Sequence, residues 1–264
     1  MPNPIYTPKT KDQYTDPEER RLYDDFANRL GWGEEIHSRA TFEFLMEVRR
    51  FSAGKTLLDA GAGYKRFQPY FGTAKSYLTS EHPSGIAMKG MEQFTYDFIA
   101  ELDGEPFTDD ESIDVIYCHS VLEHIARPEK FFANVLRMLT PGGRLYIHVP
   151  FMYPEHEVPY DFNRLTRYGL KSRLEEAGLR IVSLLPSSNS FYGAAAFVIN
   201  SIRQEEQARG FTLNSIRLPD GSTTPVMPLL ESIIKAIDSA FDDAIYENLN
   251  PIGWLAVAEK PAQT

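Results

Sequence analysis

The chain of 264 residues is poor in cysteine and in basic residues, and these deficits exclude several classes of protein. Cys118 is the single cysteine, so no internal disulfide can form and a reducing compartment is favoured. Lysine and arginine number 27 against 37 acidic residues, which gives a formal net charge of −10. Nucleic-acid binding depends on clustered cations that neutralise phosphates. We therefore expect no DNA or RNA partner.

Long apolar runs are missing as well. No uninterrupted apolar stretch approaches the roughly 20 residues that span a bilayer. The first residues, Met-Pro-Asn-Pro-Ile-Tyr, lack the basic start and apolar run of a signal peptide. With 42% hydrophobic and 24% charged residues, the composition is typical of a soluble globular protein. We expect a cytoplasmic protein without a transmembrane segment.

The spacing of apolar residues divides the chain into a helical N-terminal part and a longer part in which strands and helices alternate. Two helices are predicted in residues 1–54, one from Asp16 to about Leu30 and one from about Glu34 to Phe51. We interpret residues 1–54 as an N-terminal helical arm or lid. Residues 55–264 are expected to form the main domain, with a helical insertion at about 190–250.

Short apolar segments bounded by turns predict the strands of the main domain. They alternate with helical patterns at Pro128 to Leu139 and at Thr166 to Ala177, and the insertion carries two more, at Tyr192 to Arg209 and Pro228 to Leu249. This alternation predicts an α/β fold with an open, Rossmann-like, mostly parallel seven-stranded sheet and helices on both faces. The predicted strands are Lys55 to Ala60, Ser76 to Ser80, Phe94 to Ala100, Ile113 to Cys118, Arg144 to Val149, Arg180 to Leu185 and Trp254 to Glu259.

The most informative segment is Leu57-Leu58-Asp59-Ala60-Gly61-Ala62-Gly63, a strand that ends in an acid and a glycine turn. Glycines allow a tight turn and a close approach of the backbone to a ligand. Glu81 follows the second predicted strand, where an acid can accept hydrogen bonds from ribose hydroxyls. The third and fourth strands end near Glu101-Leu102-Asp103 and Cys118-His119. Since ligands of open α/β sheets bind at the carboxyl ends of strands, these four segments should converge on one crevice.

These motifs resemble those of the class I S-adenosylmethionine-dependent methyltransferases, in particular their type 11 branch. Three further segments extend the resemblance: Pro106-Phe107 before Asp114-Val115, Val121-Leu122-Glu123-His124, and Leu139-Thr140-Pro141-Gly142-Gly143. The resemblance covers roughly residues 56–188 together with the last predicted strand. It implies S-adenosyl-L-methionine as the methyl donor and S-adenosyl-L-homocysteine as the product.

The resemblance also implies which residues bind the cofactor. The expected binding residues are Asp59, Gly61, Gly63, Glu81, Glu101, Leu102 and His119. Asp59 and the two glycines are expected to hold the methionine portion and Glu81 the ribose hydroxyls, while the last three border the adenine. The counterpart of Glu101 stays open, because Tyr96-Asp97 or Asp103 could take its place.

A nicotinamide-dependent dehydrogenase is the rival within this fold. Its Gly-x-Gly-x-x-Gly fingerprint needs a third small residue, and Arg66 occupies that position. The alternative from another functional class is a pseudo-enzyme or interaction module that keeps the fold and binds the cofactor without turnover, because a fold does not settle function. We expect a methyltransferase.

Methyl transfer to a hydroxyl requires an aligned acceptor, exclusion of water and a base, and histidine suits the last task near neutral pH. The loop after the fifth strand, from Pro154 to Arg164, should cover the methyl end of the crevice and resembles a loop of type 11 relatives. The candidate catalytic residues are His156, His124 and Asp161, and the candidate acceptor-facing residues are Tyr160 and Arg164. Two alternatives stay open: an ion pair between Asp161 and Arg164 that only orders the loop, and a capping or packing role for His124.

Partners and metals follow from the same residues. His156, Glu157 and Asp161 could in principle bind a hard cation, but their spacing matches no firm ligand pattern, and we expect no metal. The expected acceptor is a small molecule or a glycan, methylated at a hydroxyl, as in natural-product or glycan tailoring. The apolar residues of the insertion leave three roles open: packing on the sheet, a homodimer surface, or a wall for a lipid-linked acceptor.

Overall fold

An open seven-stranded sheet forms the centre of the structure, a computed structural model that describes residues 6–30, 36–238 and 250–262. The strands, including two of a separate hairpin, are β1 (Thr56–Ala60), β2 (Ser76–Glu81), β3 (Phe98–Ile99), β4 (Ile113–His119), β5 (Leu139–Pro150), β6 (Arg180–Pro186), β7 (Ser215–Arg217), β8 (Thr223–Pro225) and β9 (Gly253–Glu259). The order in the sheet is β3-β2-β1-β4-β5-β9-β6, and β7 pairs with β8.

All neighbouring strands from β3 to β5 are parallel, and β9 runs antiparallel to both of its neighbours, β5 and β6. The central strands β1 and β4 are buried on both faces, as expected for a parallel sheet covered by helices. Their register sets Asp59 opposite Thr79 of β2 and Tyr117 of β4. The prediction of a mostly parallel, seven-stranded α/β sheet is confirmed.

Seven α-helices cover the sheet or extend from it in the described residues. They are α1 (Pro17–Leu30), α2 (Ile36–Phe51), α3 (Pro83–Lys89), α4 (Pro128–Met138), α5 (Arg167–Glu176), α6 (Ser190–Arg209) and α7 (Val226–Asp238). Side-chain caps define several N-termini: Asp16 accepts from the Glu18 amide at 2.8 Å, and Thr166 and Asn189 accept from amides of α5 and α6. Among the described residues, no helix is both long and apolar enough to cross a membrane.

Two hydrophobic clusters lie on opposite faces of the sheet. One joins α4 and α5 to residues such as Leu58 and Ile116. The other joins the N-terminal helices to the opposite face, where Phe42 packs with Leu57 and Tyr117. Residues of α1 and α2 thus share one hydrophobic cluster with the sheet, while the division of the chain at residue 54 stays a prediction.

The third strand and the start of the fifth differ from the sequence prediction. β3 contains only Phe98 and Ile99, because the side chains of Tyr96 and Asp97 bond to Gly63 and Thr79 instead of continuing a regular strand. β5 begins at Leu139, and the expected Pro-Gly-Gly turn lies within a register shift of this strand. Side-chain hydrogen bonds therefore account for the later start of β3, and pairing of Leu139 with Ile113 of β4 accounts for the earlier start of β5.

The insertion is only partly as expected. α6 matches the first helical pattern, and α7 covers the start of the second, whose residues 239–249 lie outside the described part of the chain. The turn at 218–222 connects the short hairpin strands β7 and β8, which the sequence analysis does not predict. α3 is a further unpredicted element, and its first residue directly follows His82.

Candidate cofactor and acceptor site

The two glycines of the turn after β1 differ in how closely other residues pack against them. Gly61 and Gly63 adopt positive φ angles of 76° and 53°, a region that favours glycine. A Cβ added to Gly61 would lie 2.5 Å from Cγ2 of Val121, the residue that precedes a short 3₁₀ helix after β4. A Cβ added to Gly63 would meet no described atom within 4 Å. The backbone is therefore packed at Gly61 and accessible at Gly63.

Glu81, the last residue of β2, is tied to this turn. Its Oε2 accepts a hydrogen bond from the Gly63 amide at 2.7 Å, and its Oε1 accepts from the His82 amide at 2.9 Å. The carboxylate is partly exposed and retains lone pairs for further donors. The structure thus brings together the predicted ribose-binding acid and the predicted glycine turn.

Asp59 lies below the turn and is buried, with 2% of its surface exposed. Its Oδ2 accepts a hydrogen bond from the Tyr77 hydroxyl at 2.7 Å. Burial raises the pKa of Asp59 to about 7, although the bond from Tyr77 opposes this shift, and the charge of Glu81 raises the pKa further. A positive group near Asp59 would stabilise its ionised form.

The three acids that compete for the adenine position have different surroundings. Asp97 accepts from the amide and hydroxyl of Thr79, and Asp103 accepts from the amide and Nε of Arg127. Glu101 is 54% exposed at its side chain and contacts His82 and Arg127 only at 3.8 Å. Of the three carboxylates, Glu101 therefore has the most capacity left for a ligand.

The other two residues expected to border the adenine have different surroundings. Leu102 packs into the cluster on the face of α4 and α5. The ring of His119 lies 4.9 Å from that of Phe67, on the other face, and stacks on His148 with ring centroids 4.4 Å apart. Burial lowers the pKa of His119 to about 3, and the nearby His37 lowers it further. His119, itself half-buried, thus belongs to a cluster of histidines whose other members, His37 and His148, are buried.

In the loop after β5, Asp161 and Arg164 form an ion pair with two short contacts of 2.6 and 2.7 Å. Asp161 also accepts from the His156 amide at 2.9 Å, and Arg164 donates to the carbonyls of Tyr153 and Pro154. Burial raises the pKa of Asp161, but the bonds from Arg164 and the His156 amide outweigh this effect and lower it overall. The described contacts of this pair agree with the alternative of an ion pair that orders the loop.

His124 and His156, from segments 32 residues apart, lie next to each other. Their ring centroids are 4.8 Å apart at an angle of 75°. His124 Nδ1 lies 2.7 Å from the backbone carbonyl of Tyr160, whose exposed ring extends from the loop. Burial lowers the pKa of His124, so the neutral imidazole is favoured at neutral pH.

Glu123 is the residue whose importance the sequence analysis missed. It is fully buried beside His124, and neither carboxylate oxygen has a hydrogen-bond partner among the described residues. Burial raises its pKa to about 8. Its backbone carbonyl accepts from the amides of Phe162 and Asn163, which fixes the loop after β5 onto the 3₁₀ helix (Leu122–His124). The only signal in the sequence is an acid beside a histidine within an apolar segment.

The loop after β5 also reaches the cofactor side. Glu157 pairs with Lys89 at the end of α3 at 2.8 Å, and the Lys89 carbonyl accepts from the Tyr64 hydroxyl at 2.8 Å. Lys65, Ser120 and Glu157 have positive φ angles of 53 to 55°, a conformation uncommon outside glycine and frequent at functional sites. The described contacts therefore connect the loop after β5 with the segment that follows the glycine turn.

The antiparallel strand β9, the glycine turn and the acid at the end of β2 agree with the class I S-adenosylmethionine-dependent methyltransferase fold that the motifs predict. Residues 58–147 match the type 11 family described as a methyltransferase domain. This match, over 90 of the 264 residues, supports a class I S-adenosylmethionine-dependent methyltransferase of the type 11 branch, as the motifs predict.

A curated relative supports this assignment over a limited region. An uncharacterized methyltransferase from Mycolicibacterium vanbaalenii is 34% identical over 96 residues, which make up 34% of this chain and 37% of that protein. The match thus covers little more than a third of the relative.

Solved structures share the fold at low sequence identity. A methyltransferase from Haloferax volcanii, solved with the Trm112 methyltransferase activator, is 16% identical, with a TM-score of 0.52 and coverage of 94% of both chains. The cyclase SpnF is also 16% identical, with a TM-score of 0.51 and coverage of 86% of this chain and 83% of its own. Since one of these proteins is named as a cyclase, the fold alone does not determine the reaction.

Proposed function

We propose that the protein is an S-adenosylmethionine-dependent methyltransferase that acts on a hydroxyl of a small-molecule or glycan acceptor. One observation carries the proposal: the Glu81 carboxylate is bonded to the Gly63 amide beside an open stretch of backbone. This arrangement supplies hydroxyl acceptors and close backbone approach at the carboxyl edge of a parallel sheet, where ligands of such folds bind. The match of residues 58–147 to the type 11 methyltransferase domain supports the same function.

The residues at this edge fit the chemistry of the cofactor. Glu81 can accept hydrogen bonds from the two ribose hydroxyls, and Glu101 has a largely exposed carboxylate for the adenine side. Asp59 is a buried carboxylate whose ionised form a cation would stabilise, and the methionine portion carries an ammonium and a sulfonium group. When bound, S-adenosylmethionine supplies an electrophilic methyl group.

The acceptor side is assigned to the 3₁₀ helix and the loop after β5. Carbonyl oxygens accept hydrogen bonds and do not donate them, so the contact with Tyr160 assigns the proton of His124 to Nδ1. His156 Nδ1 likewise lies 3.2 Å from the Pro154 carbonyl. Nδ1 of His156 faces one longer donor, Arg164 Nη2 at 3.4 Å, and two closer acceptors, the Pro154 carbonyl and Asp161 Oδ2, and we assign the ring proton to Nδ1 on these two acceptors. Nε2 of each ring is then the nitrogen with a free lone pair, which can receive the proton of an acceptor hydroxyl. In this proposal Asp161 orients His156, and Tyr160 contributes an exposed ring to the acceptor.

Calorimetric titration of the purified protein with S-adenosylmethionine, S-adenosylhomocysteine and NADH tests the proposal. We expect micromolar binding of the first two ligands and none of NADH. Binding of NADH alone would overturn the proposal. Binding of the methyl donor without product formation on a panel of sugars and hydroxylated natural products would favour the cofactor-binding pseudo-enzyme.

A further inference from the structure

We infer that Glu123, His124 and His156 form a binding site for a divalent transition-metal ion such as Zn²⁺. One ligand atom from each of the three residues lies within 4.8 Å of the others. His124 Nε2 is 3.9 Å from Glu123 Oε1 and 3.8 Å from Glu157 Oε2, which adds a fourth candidate ligand. Ligands bound about 2.0 to 2.2 Å from a tetrahedral ion lie about 3.3 to 3.6 Å apart. The arrangement thus needs only small movements to bind the ion.

Glu123 gives independent evidence that a cation belongs here. The residue is 0% exposed, and both carboxylate oxygens are without a hydrogen-bond partner in the described parts of the chain. A buried carboxylate without a partner destabilises the fold, whereas a bound cation satisfies it. The amides of the facing loop do not relieve this cost, because those of Phe162 and Asn163 donate to the Glu123 carbonyl and not to its carboxylate.

The hydrogen-bond partners of Nδ1 in His124 and His156 are of the kind that orients histidine ligands in metal sites. Metal-bound histidines usually donate their second ring N–H to a backbone carbonyl or a carboxylate. His124 Nδ1 faces the Tyr160 carbonyl at 2.7 Å, and His156 Nδ1 lies 3.2 Å from both the Pro154 carbonyl and Asp161 Oδ2. Arg164 in turn fixes Asp161 through two hydrogen bonds. Both rings are thereby oriented, and their Nε2 atoms are left for the ion.

The donor set selects the kind of ion. Two imidazoles with one carboxylate suit Zn²⁺ and similar first-row ions, whereas Mg²⁺ and Ca²⁺ favour oxygen ligands. This ligand set differs from the one considered in the sequence, which was His156, Glu157 and Asp161. In the structure Asp161 forms an ion pair with Arg164 and lies beside Nδ1 of His156, so it is not assigned as a ligand. Glu157 is shared with Lys89, so it is assigned as the exchangeable fourth ligand.

The position of the site gives the ion a task that rests on the proposed function. Val121, two residues before Glu123, contacts the glycine turn at Gly61, so the ion would lie near the cofactor crevice. A divalent ion lowers the pKa of a hydroxyl or water bound to it. The histidines would then serve as ligands, and the ion would favour the deprotonated form of the acceptor hydroxyl.

The test uses untagged full-length protein, stripped with a chelator and titrated with ZnCl₂ by calorimetry. We expect one ion per chain, Co²⁺ substitution with the visible absorption of a four-coordinate site, and much weaker binding of Mg²⁺. Glu123→Gln and His156→Ala should each weaken Zn²⁺ binding more than about 100-fold, and the outer-shell change Asp161→Asn about 10- to 100-fold. Glu155→Gln, an exposed acid of the same loop, is the matched control and should bind as the wild type does.

Failure of this inference can be distinguished from failure of the proposed function. Titration of the same samples with S-adenosylhomocysteine reports the cofactor site, which these substitutions should leave unchanged. No Zn²⁺ binding by the wild type, or unchanged binding in Glu123→Gln, overturns the metal site even when the cofactor binds. If Glu123→Gln does not fold, as circular dichroism would reveal, His156→Ala gives the same test with a partly exposed residue.

Discussion

The two sides of the crevice are built from different kinds of groups. On the cofactor side, backbone amides and one carboxylate surround the turn after β1, and Glu81 satisfies both of its oxygens locally. On the acceptor side, Glu123 and His124 meet His156 from a loop that follows the next strand, and the Glu123 carboxylate has no hydrogen-bond partner in the described structure. On the first side each acid has a hydrogen-bond donor in the described structure, since Asp59 accepts from Tyr77 and Glu81 from two amides, whereas the second side holds a buried acid without one.

His156→Ala should separate the two sides most sharply. We expect product formation to fall by at least about 100-fold, because a general base or an ion-holding ligand is lost. Affinity for S-adenosylmethionine should stay within about twofold of the wild type, since His156 contacts Asp161 and His124 and not the glycine turn.

The measurement is S-adenosylhomocysteine formation with an acceptor found by screening, together with calorimetry of the cofactor. Full turnover in His156→Ala would move the acceptor chemistry to other residues. A parallel loss of cofactor affinity would show that the two sides are not independent.

Glu81→Ala should have the opposite signature. Loss of two charge-assisted hydrogen bonds to ribose, each contributing about 1.5 to 3 kcal/mol, predicts a loss of cofactor affinity of about 100-fold or more. The fold should persist, because Glu81 is partly exposed at the end of its strand. Zn²⁺ affinity should be unchanged, which sharpens the contrast with His156→Ala.

Calorimetry of both ligands measures these effects, and Glu105→Ala, an exposed acid in the loop after β3, is the control. An unaltered affinity for S-adenosylhomocysteine in Glu81→Ala would contradict the assignment of the ribose site.

The difference between the cofactor side and the acceptor side also explains why the sequence predicts the first site better than the second. Asp59, Gly61 and Gly63 are adjacent in the chain, and Glu81 ends the next strand, so the rule for parallel sheets is enough to bring them together. Contacts between Glu123 and residues 156–163 depend on how one loop packs on the 3₁₀ helix. Neither this packing nor the missing partner of Glu123 leaves a spacing signal.

Other misses have the same origin in side-chain contacts. Tyr96 and Asp97 lie within the strand predicted from Phe94 to Ala100, but bonds to Gly63 and Thr79 hold them outside the pairing with β2. His119 ends β4, and its ring lies on the face of the sheet that carries Phe67, which the sequence pattern does not indicate; its place at the adenine stays a prediction. The carboxyl ends of these strands were thus predictable from the sequence. The face of the sheet on which the side chain of each last residue lies was not.

Gly61→Ala and Gly63→Ala test whether the packed and the open position of the glycine turn differ in their effects on stability and on cofactor binding. Gly61→Ala should lower the free energy of unfolding by about 1 to 3 kcal/mol, because the new Cβ collides with Val121 and the φ angle is positive. Gly63→Ala should cost only about 1 kcal/mol, since just the φ angle opposes it, but it should weaken cofactor binding by filling the open space.

Urea denaturation and calorimetry of both variants make the comparison, and Val121→Ala in the Gly61→Ala background should restore part of the lost stability. Equal stability losses in the two single variants would show that the contact with Val121 is not what restricts Gly61.

The smallest expected effect concerns the buried histidine cluster between β4 and β5. Burial lowers the pKa of His148 well below its usual 6.5, and His119 and His37 lower it further. The unfolded chain therefore binds a proton below pH 6.5 that the folded chain does not, so this contribution to stability is complete above pH 6.5 and declines as the pH falls. Asp59, whose pKa is raised to about 7, acts in the opposite direction, because its folded form binds the extra proton as the pH falls.

His148→Asn isolates the histidine contribution, because it keeps a polar group near Ser120 and leaves Asp59 in place. The stability of the wild type relative to this variant should fall by up to about 1.4 kcal/mol for each pH unit below 6.5. Urea denaturation at pH 7.5, 6.5 and 5.5 measures the difference. A difference that stays constant over this range would mean that His148 takes up its proton in the folded protein as well, and that the cluster between β4 and β5 is accessible to water.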